Sequence, residues 1–583
     1  MKKLIPFVIL GLFSGLLLFS CQRSDSLPTA EEEKEKSIKY AFEDNFERTK
    51  DLSLGYPPLQ RMVAALDFTR RLQAEYAQSI FRDGIENPRW RERGPNNIGG
   101  RTRAILIDKN DPERKTIWAG GVAGGIWKTE DITAQNPEWK VVNDYLEYMA
   151  IGALAQHPNE PNIMYAGTGE GYNNWEAVAG FGIYKSADGG ESWELLPATL
   201  NNVFRTVQDL FVHPDNGDVY AATHNGLHRS TDGGVNWEKV LGSNIGLANE
   251  NFYDIEYASA NGFIFASNRN SVFKSQTGNP GEWQNLRANN SGFPTGLERV
   301  EVTVCQSNPD VLYVIGNSGG GASQVYTSVN GGANWLPRAQ PRNNNGEFTN
   351  GQAWYDLDIA VDPFDCNHII AGGVQIMRSV NAGLSFEQFA FNMHVDQHYV
   401  LFDQENPNTV YFGNDGGIYR SPGGSAPQVQ NKNLGYNVTQ FYGCAIHPEP
   451  FNNLIIGGTQ DNGTLLINSE GIGSARNVWG GDGFLCHIDE DEPNIMIVSS
   501  QFGNWGISRD GGQTFTGGVG TNSGFLTPSD YDNEANILYT QTNEDGGDFY
   551  RWNVNTGAFD LVEIGNQQVN IFSIAVDPNT PNR

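Results

Sequence analysis

The chain has 583 residues, and its 68 acidic side chains outnumber the 39 basic ones, which gives a formal net charge of −29. A chain of this length holds a large repeat domain or several units, and it can bury a sizeable core. Its acidic surface repels phosphate polymers, so nucleic acid is excluded as an expected partner.

The N-terminus is typical of a bacterial export signal. Two lysines precede an apolar run, residues 4–19, that is shorter than most membrane-spanning helices. The run ends just before Cys21, and a small residue ahead of a cysteine resembles the cleavage and acylation site of bacterial lipoproteins. We expect residues 1–20 to be a signal peptide, Cys21 to carry lipid, and residues 21–30 to tether the chain to the outer membrane, on its periplasmic or cell-surface face. An ordinary signal peptide with an incidental cysteine is the alternative.

The next segment is predicted to be helical. Residues 31–83 are charged and contain one glycine, Gly55, and residues 59–66 space their apolar side chains with helical periodicity. We expect a helical lead-in over residues 31–92 that docks on the main body. After Arg93, aromatic and β-branched runs alternate with Gly, Asn, Asp and Pro clusters, which is typical of short strands and tight turns.

A repeat of roughly 40 residues follows, a period typical of propeller blades or stacked arrays. Its clearest motif, Ser-x-Asp-x-Gly-x-x-Trp, is called an Asp-box and occurs at residues 186–193 and 230–237. Less exact copies lie at residues 328–335, 379–386 and 508–515. The third residue of each copy is suited to accept hydrogen bonds from its own turn, so we interpret this set as structural rather than catalytic or metal-binding. The five residues are Asp188, Asp232, Asn330, Asn381 and Asp510.

A second recurring motif consists of two strands joined by an Asn-Pro or Asp-Pro turn. Together the two motifs predict an all-β fold of tandem β-propellers. We expect a seven-bladed first ring over residues 93–440 and the start of a second ring over residues 441–583, with a single ten-bladed ring as the alternative. The repeats begin near Arg103, Ile151, Val207, Tyr253, Val300, Tyr355, Tyr399, Phe441, Phe484 and Phe525. A further repeat begins at Ile571 and stops in mid-hairpin, so we expect a longer parent chain.

These Asp-boxes and Asn-Pro turns resemble the BNR-repeat superfamily that joins sortilin/Vps10-like propellers with xyloglucanase-type glycoside hydrolases. The likeness runs from about Trp90 to the end of the chain. Residues 94–101, 457–464 and 480–484 resemble bacterial sortilin-like proteins that are often labelled glycosyl hydrolases. The resemblance implies the propeller fold, and a shared fold does not by itself carry an activity.

One departure from the xyloglucanase-type enzymes concerns their catalytic carboxylate, which lies in an Asp-x-Gly-Gly turn. The matching turns here are Val-Ala-Gly-Gly at residues 122–125 and Asn-Asp-Gly-Gly at residues 414–417. Neither places aspartate first, so this chain does not reproduce the acid/base pair of that family.

The rim opposite the Asp-boxes is the predicted binding face. In a four-stranded blade the Asp-box turn, between strands 3 and 4, lies on one rim, while the 2–3 turns and the blade connections lie on the other. Asp461 and Asp482 come from one blade and the connection after it, so we consider them an acid/base pair, with Glu170 or Asp396 assisting. The alternative interpretation is that both aspartates are structural and hydrogen-bond the backbone of their own turns, as in Asx turns.

Ligand contacts are expected from polar and aromatic side chains of the same rim. Flat aromatic rings suit sugar rings or partner side chains, although packing between blades also uses them. The expected ligand-binding residues are Arg101, Tyr172, Trp175, Trp354, His394, His398, Asp415, Trp479 and Phe484. His394, Asp396 and His398 would share one side of an extended segment, as metal ligands can, yet rim histidines and acids commonly hydrogen-bond each other. We expect no metal and no cofactor.

Four cysteines follow Cys21, namely Cys305, Cys366, Cys444 and Cys486. Each lies in or beside an apolar run of a separate repeat, which indicates packing residues rather than a disulfide framework. An isolated bridge is left open, because exported proteins fold in an oxidising compartment.

The sequence favours a cell-surface lipoprotein whose propeller binds a glycan or a protein ligand on the rim opposite the Asp-boxes. A glycoside hydrolase that cleaves polysaccharide with paired carboxylates is the alternative, and a structural protein that docks on an envelope partner is a third interpretation. The expected partners are therefore polysaccharide or a secreted or envelope protein, and the membrane is contacted through lipid alone.

Overall fold

The computed structural model consists mainly of β-sheet. The export signal, Cys21, the tether and Trp175 lie outside the described residues. Among the residues described, no helix combines the length and apolar content needed to cross a membrane. The structure describes residues 46, 49–55, 58, 61–78, 91–172, 177–242, 250–287, 291–343, 346–423, 428–521, 523–542, 548–563, 571 and 573–577.

Helix α1, Met62–Gln78, lies within the predicted helical lead-in. Its sequence has no glycine or proline and is rich in Ala, Leu and Arg, which favour helix. Most of its side chains are exposed. Arg70 joins it to the first sheets, since its guanidinium donates to Tyr145 O at 3.1 Å and lies 3.5 Å from the Glu147 carboxylate. The helix therefore docks through polar contacts.

Within the described residues, ten β-sheets of four or five strands follow in chain order and are numbered as blades 1–10. Each has four consecutive antiparallel strands, and blade 5 carries a fifth, short strand. The strands of blades 1–3 are Thr102–Ile107, Ile117–Gly121, Gly125–Thr129 and Trp139–Val141; Ile151–Gln156, Met164–Thr168, Ile183–Ser186 and Glu194–Leu195; Val207–Val212, Val219–Thr223, Gly226–Ser230 and Glu238–Leu241. The strands of blades 4–6 are Phe252–Ala258, Phe263–Asn268, Val272–Ser275 and Gln284–Asn285; Arg299–Val304, Leu312–Ser318, Gly321–Ala322, Tyr326–Ser328 and Leu336–Pro337; Asp358–Val361, Ile369–Gly372, Ile376–Ser379 and Glu387–Gln388. The strands of blades 7–10 are Gln397–Phe402, Val410–Asn414, Gly417–Ser421 and Gln430–Asn431; Phe441–Ile446, Ile455–Thr459, Gly463–Ile467 and Arg476–Trp479; His487–Ile488, Met496–Ser500, Asn504–Ser508 and Thr516–Gly520; Ser529–Asp532, Ile537–Gln541, Phe549–Asn553 and Phe559–Val562.

The second strand of most blades is buried on both faces. Ile117–Gly121, Met164–Thr168 and Val219–Thr223 are buried at every position. A sheet packed between two neighbouring sheets needs apolar or small residues on both sides, so these strands lack the alternation of a half-exposed strand. A short hairpin between Arg342–Asn343 and Gly346–Glu347 lies in the connection from blade 5 to blade 6.

The first seven blades close into a ring. Blade 7 packs on blade 1 through one apolar cluster that includes Trp127 and Trp139 of blade 1 with Tyr411 and Ile418 of blade 7. Trp139 Nε1 also donates to Lys432 O at 2.7 Å. Because blade 1 already has blade 7 as a neighbour, the single ten-bladed ring is excluded. The tandem arrangement is the observed one, and blades 8–10 form a separate set.

The joint between the two sets of blades involves the segment just before blade 1. Asn97 exchanges two hydrogen bonds with Ala475 of blade 8, at 3.0 Å and 2.8 Å. Gly100 passes so close to Val438 that a Cβ there would lie 2.4 Å from the Val438 carbonyl oxygen. The glycine-rich motif at residues 94–101 therefore lies where the backbone must pass close to its neighbours.

The Asp-boxes close the turns between the third and fourth strands of their blades. In the first copy, Asp188 Oδ1 accepts from Ser192 N at 3.0 Å and from Ser186 Oγ at 2.8 Å. Gly190, at φ +89°, lies against the Trp118 ring of the preceding blade, and a Cβ there would lie 2.2 Å from that ring. These contacts hold both the hairpin and the adjacent blade. The same main-chain bond, from the residue four positions on, is accepted by Asp232, Asn330, Asn381 and Asp510.

Two of the cysteines form a disulfide. Cys305, after the first strand of blade 5, is bonded to Cys366, in the first turn of blade 6, across a sequence separation of 61 residues. The bridge links adjacent blades, so these two cysteines are not simply packing residues of separate repeats. Cys444 is free and exposed, and Cys486 is free and buried.

Candidate functional site

A buried layer of charged and aromatic side chains lies on the rim of the first ring opposite the Asp-boxes. Glu170, in the 2–3 turn of blade 2, is 2.8 Å from Arg103 Nε and 3.6 Å from Arg101, both from the start of blade 1. Tyr355, just before blade 6, donates to Glu170 at 3.0 Å and accepts from Arg101 at 2.7 Å. Burial alone would raise the pKa of Glu170, but the two guanidinium groups hold it below its ordinary value.

The predicted assisting role of Glu170 in catalysis conflicts with this position. Its side chain is 1% exposed and its carboxylate is occupied by two arginines. A substrate has no access to it, so Glu170 acts as an internal counter-ion of the ring.

The ring of Tyr172 is stacked rather than free. The guanidinium of Arg103 lies 4.4 Å from the Tyr172 ring centre, and that of Arg299 also lies 4.4 Å from it. Arg103 at the same time lies 4.3 Å from the ring centre of Tyr355. Such alternation of cations and aromatic rings stabilises a buried guanidinium. Tyr172 and Arg101, both expected to contact ligand, are therefore part of the support beneath the rim.

A second buried group surrounds His398, the second residue of blade 7. Its Nε2 lies 2.5 Å from Asp415 Oδ1, and its Nδ1 lies 3.3 Å from Asp356 Oδ1. Burial would raise the pKa of Asp415, but the His398 ring and Arg101 lower it to about 2. Burial and the charges of Asp396 and Asp415 raise the pKa of Asp356 well above its ordinary value. The two carboxyl groups beside His398 therefore have pKa values that are shifted in opposite directions.

The predicted pair, Asp461 and Asp482, does come together. Asp482 Oδ1 accepts from the Asp461 backbone N–H at 2.5 Å. Burial, followed by the charges of Asp415 and Asp482, raises the pKa of Asp461 well above its ordinary value. Asp461 is partly exposed and Asp482 is 7% exposed. The two residues belong to blade 8 and its outgoing connection, while Asp415 belongs to blade 7, so the two sets of blades share this site.

His394 joins the two sets of blades at the same place. Its Nε2 lies 3.0 Å from the Asp461 carbonyl oxygen, and Asn462 Nδ2 donates to Asp415 O at 3.0 Å. Asp396, two residues on, has φ +64°, which turns the chain at that point. The segment is therefore not extended, and His394 and His398 contact different groups. The sequence pattern that places all three side chains on one side does not describe this segment.

The aromatic residues expected on the rim differ in exposure. Phe484 is 2% exposed and packs 4.8 Å from the Tyr442 ring and 5.4 Å from the Phe525 ring, so it belongs to the core and offers no ligand surface. Trp479 is partly buried against the Gly506 backbone. Trp354 remains partly exposed, with its ring 5.3 Å from that of Tyr355.

The central channel of the first ring contains charged side chains that the sequence analysis did not single out. A cavity of about 240 Å³ is lined by first-strand residues from several blades. The charged residues that line it are Arg103, Asp209, Asp254, Glu256, Arg299, Glu301 and Asp358. Burial raises the pKa of Asp209 and of Asp358 to about 7 and that of Glu256 to about 8.

Three of the channel aspartates also brace neighbouring blades. Asp209, Asp254 and Asp358 each accept a hydrogen bond from a backbone N–H in the first strand of the following blade, at 2.9 Å, 3.1 Å and 2.6 Å. Asp530 of blade 10 accepts in the same way from Val576 at 2.7 Å. An aspartate recurring in the first strand of several repeats was the signal available in the sequence.

No family model and no curated protein matches this sequence. Among solved structures, a GH74 enzyme of Niastella koreensis has a TM-score of 0.58 at 18% identity and covers 81% of this chain and 74% of its own. The GH74 xyloglucanase of Xanthomonas campestris has a TM-score of 0.57 at 17% identity, over 84% of this chain and 82% of its own. An ancestral GH74 enzyme follows at 0.51 and 13% identity, over 82% and 78%. At such identities the likeness shows the β-propeller fold, and the site has to carry any functional argument.

Proposed function

We propose that the junction between the first ring and blades 8–10 binds a polysaccharide. The observation that carries this proposal is a partly exposed set of polar side chains, His394, Asp396 and Asp461, above the buried layer of Arg101 and His398. Hydrogen bonds within that layer fix it in place, so binding loses little side-chain freedom. Carboxylate and imidazole groups suit the hydroxyls of a sugar chain, and the partly exposed ring of Trp354, which packs on Tyr355 of the buried layer, offers an apolar face.

The structural neighbours agree with this ligand class, since one of them is named a xyloglucanase. The experiment is affinity electrophoresis of the full chain in gels that contain xyloglucan, other plant glucans or microbial polysaccharides. We expect retardation by at least one polysaccharide, and a loss of about tenfold in affinity, or roughly 1.4 kcal/mol, for Asp461→Asn and for His394→Ala.

The matched control is Asp491→Asn, which changes an exposed aspartate in the first turn of blade 9, toward the Asp-box rim. This variant should bind like the wild type. Absence of retardation by every polysaccharide, or unchanged binding by Asp461→Asn, contradicts the proposal. In that case a secreted or envelope protein captured on the same rim would be the remaining class of partner.

Hydrolysis of the bound polysaccharide is a second candidate function, and the raised pKa of Asp461 favours it. A carboxyl that keeps its proton can protonate a glycosidic oxygen, and Asp482 or Asp396 is the candidate carboxylate that activates water or attacks the sugar. We expect sugar release that is abolished in Asp461→Asn and that declines as the pH rises through the pKa of Asp461. If the wild-type protein binds a polysaccharide and releases no sugar from it, hydrolysis is excluded and the binding function stands.

We also propose that Cys21 carries lipid and anchors the protein to the outer membrane. The support is the apolar run at residues 4–19 followed by a small residue and a cysteine. Metabolic labelling with a fatty-acid analogue should mark the wild-type protein and not Cys21→Ser. The same substitution should move the protein from the membrane fraction to the soluble one, and equal labelling of both proteins contradicts the proposal.

A further inference from the structure

Three buried side chains behind the junction bring potential metal-ligand atoms together. Asp356 lies just before blade 6, His398 is in the first strand of blade 7, and Asp415 is in the turn between the second and third strands of that blade. One donor atom from each lies within 4.8 Å of the other two. The three side chains are 1%, 0% and 5% exposed, respectively. Bulk water therefore has little access to this group.

The orientation of the imidazole is fixed from one side. His398 Nε2 lies 2.5 Å from Asp415 Oδ1, which places the Nε2 hydrogen toward that carboxylate and leaves the lone pair on Nδ1. A carboxylate that accepts from the distal N–H is the usual support of a metal-bound histidine, because it fixes the tautomer and the ring plane.

On the other side of the imidazole ring, two buried polar atoms have no hydrogen-bond partner. His398 Nδ1 and Asp356 Oδ1 are both buried, and neither makes a hydrogen bond in the protein. The two atoms lie 3.3 Å apart. Two ligand atoms at tetrahedral positions about 2.0 Å from one ion are separated by about 3.3 Å. Buried polar atoms almost always have a partner, so two orphaned atoms that face each other at this separation indicate a shared ligand.

We propose that Asp356 and His398 bind a divalent transition metal of the Zn²⁺ class, with Asp415 orienting the imidazole from the second shell. The nitrogen ligand favours such an ion over Ca²⁺ and Mg²⁺, which prefer oxygen alone. Carboxylates favour a cation here, because the nearby arginines are already paired elsewhere: Arg101 and Arg103 with Glu170, and Arg299 with Glu301.

The test uses the untagged full chain, purified in detergent, dialysed against a chelator and titrated with ZnCl₂ by calorimetry. We expect about one ion per chain with micromolar or tighter affinity, and a rise in melting temperature when zinc is added. Co²⁺ in place of zinc should give visible absorption bands of a site with low coordination number. If the wild-type protein binds neither ion at micromolar concentrations, the proposal is overturned whatever the variants do.

Variants locate the ion. His398→Gln and Asp356→Asn should each lower zinc affinity at least tenfold, as the loss of a ligand does. The matched control is His368→Gln. His368 Nδ1 lies 3.0 Å from Asp362 in a comparable buried pair. Among the described residues this pair is not part of a group of three potential metal ligands. This control should keep the stoichiometry. Unchanged zinc binding in both ligand variants, or its loss in the control alone, overturns the assignment.

Discussion

Replacing Glu256 with glutamine should stabilise the protein at alkaline pH and leave its stability unchanged in acid. Glu256 lines the channel of the first ring, where burial and the charge of Asp209 raise its pKa to about 8. Glutamine has the size of the protonated carboxylic acid and no charge at any pH. The substitution therefore mimics the acidic form of the channel without removing a side chain from it.

The magnitude follows from the difference between the folded and unfolded states. The pKa of Glu256 is about 8 when folded against an ordinary value of 4.5, so the folded protein keeps a proton that the unfolded chain releases between these two values. Stability therefore falls as the pH rises through this window, and the loss is complete above about pH 8. Each pKa unit is worth about 1.4 kcal/mol, which sets an upper bound of about 5 kcal/mol. Water in the channel screens the charge, so we expect a gain of about 2–4 kcal/mol for the variant at alkaline pH.

Guanidinium unfolding followed by tryptophan fluorescence, at several values from about pH 4.5 to about pH 9, measures this difference. The curves of Glu256→Gln and wild type should coincide at the acidic end, separate progressively as the pH rises above about 4.5, and reach their full separation above about pH 8. Glu490→Gln, which changes an exposed glutamate, is the matched control and should follow the wild type throughout. A variant whose pH profile runs parallel to that of the wild type, or that is less stable at about pH 9, would refute the reasoning.

Three further substitutions test other parts of the structure. Arg103→Met should cost about 3–5 kcal/mol in unfolding free energy, because it leaves the buried Glu170 with the more distant Arg101 as its counter-ion. Arg378→Met, at an exposed ion pair, should cost less than about 1 kcal/mol. Asp188→Ala should lower stability by about 1–2 kcal/mol through the lost turn bonds and leave polysaccharide binding intact, as measured by thermal unfolding and affinity electrophoresis together. Cys305→Ser should cost about 2–4 kcal/mol, and reducing agent should destabilise the wild type but not this variant.

The local features of the fold could be predicted from the sequence because each is encoded within a few residues. An Asp-box such as the one at Asp188 forms bonds to residues two and four positions away, so its role is visible in the motif. The starts of the blades were predictable to within a few residues, since every blade repeats the same order of strands and turns. The seven-bladed ring and the ten-bladed ring share this local pattern, so the sequence left that choice open.

Contacts between distant blades decided the rest. The Tyr355 hydroxyl meets Glu170 across 185 residues, and no spacing in the sequence relates them. The left-handed backbone of Asp396 directs His394 and His398 to different partners. The sequence pattern predicted that His394 and Asp396 would lie beside His398, but Asp356 lies beside its Nδ1. Sequence alone therefore determined the repeat, the strands and the Asp-box turns, because these depend on local hydrogen bonds and hydrophobic periodicity. The tertiary structure decided ring closure, the charged interior and the candidate site, because burial and electrostatic interactions depend on which blades pack side by side.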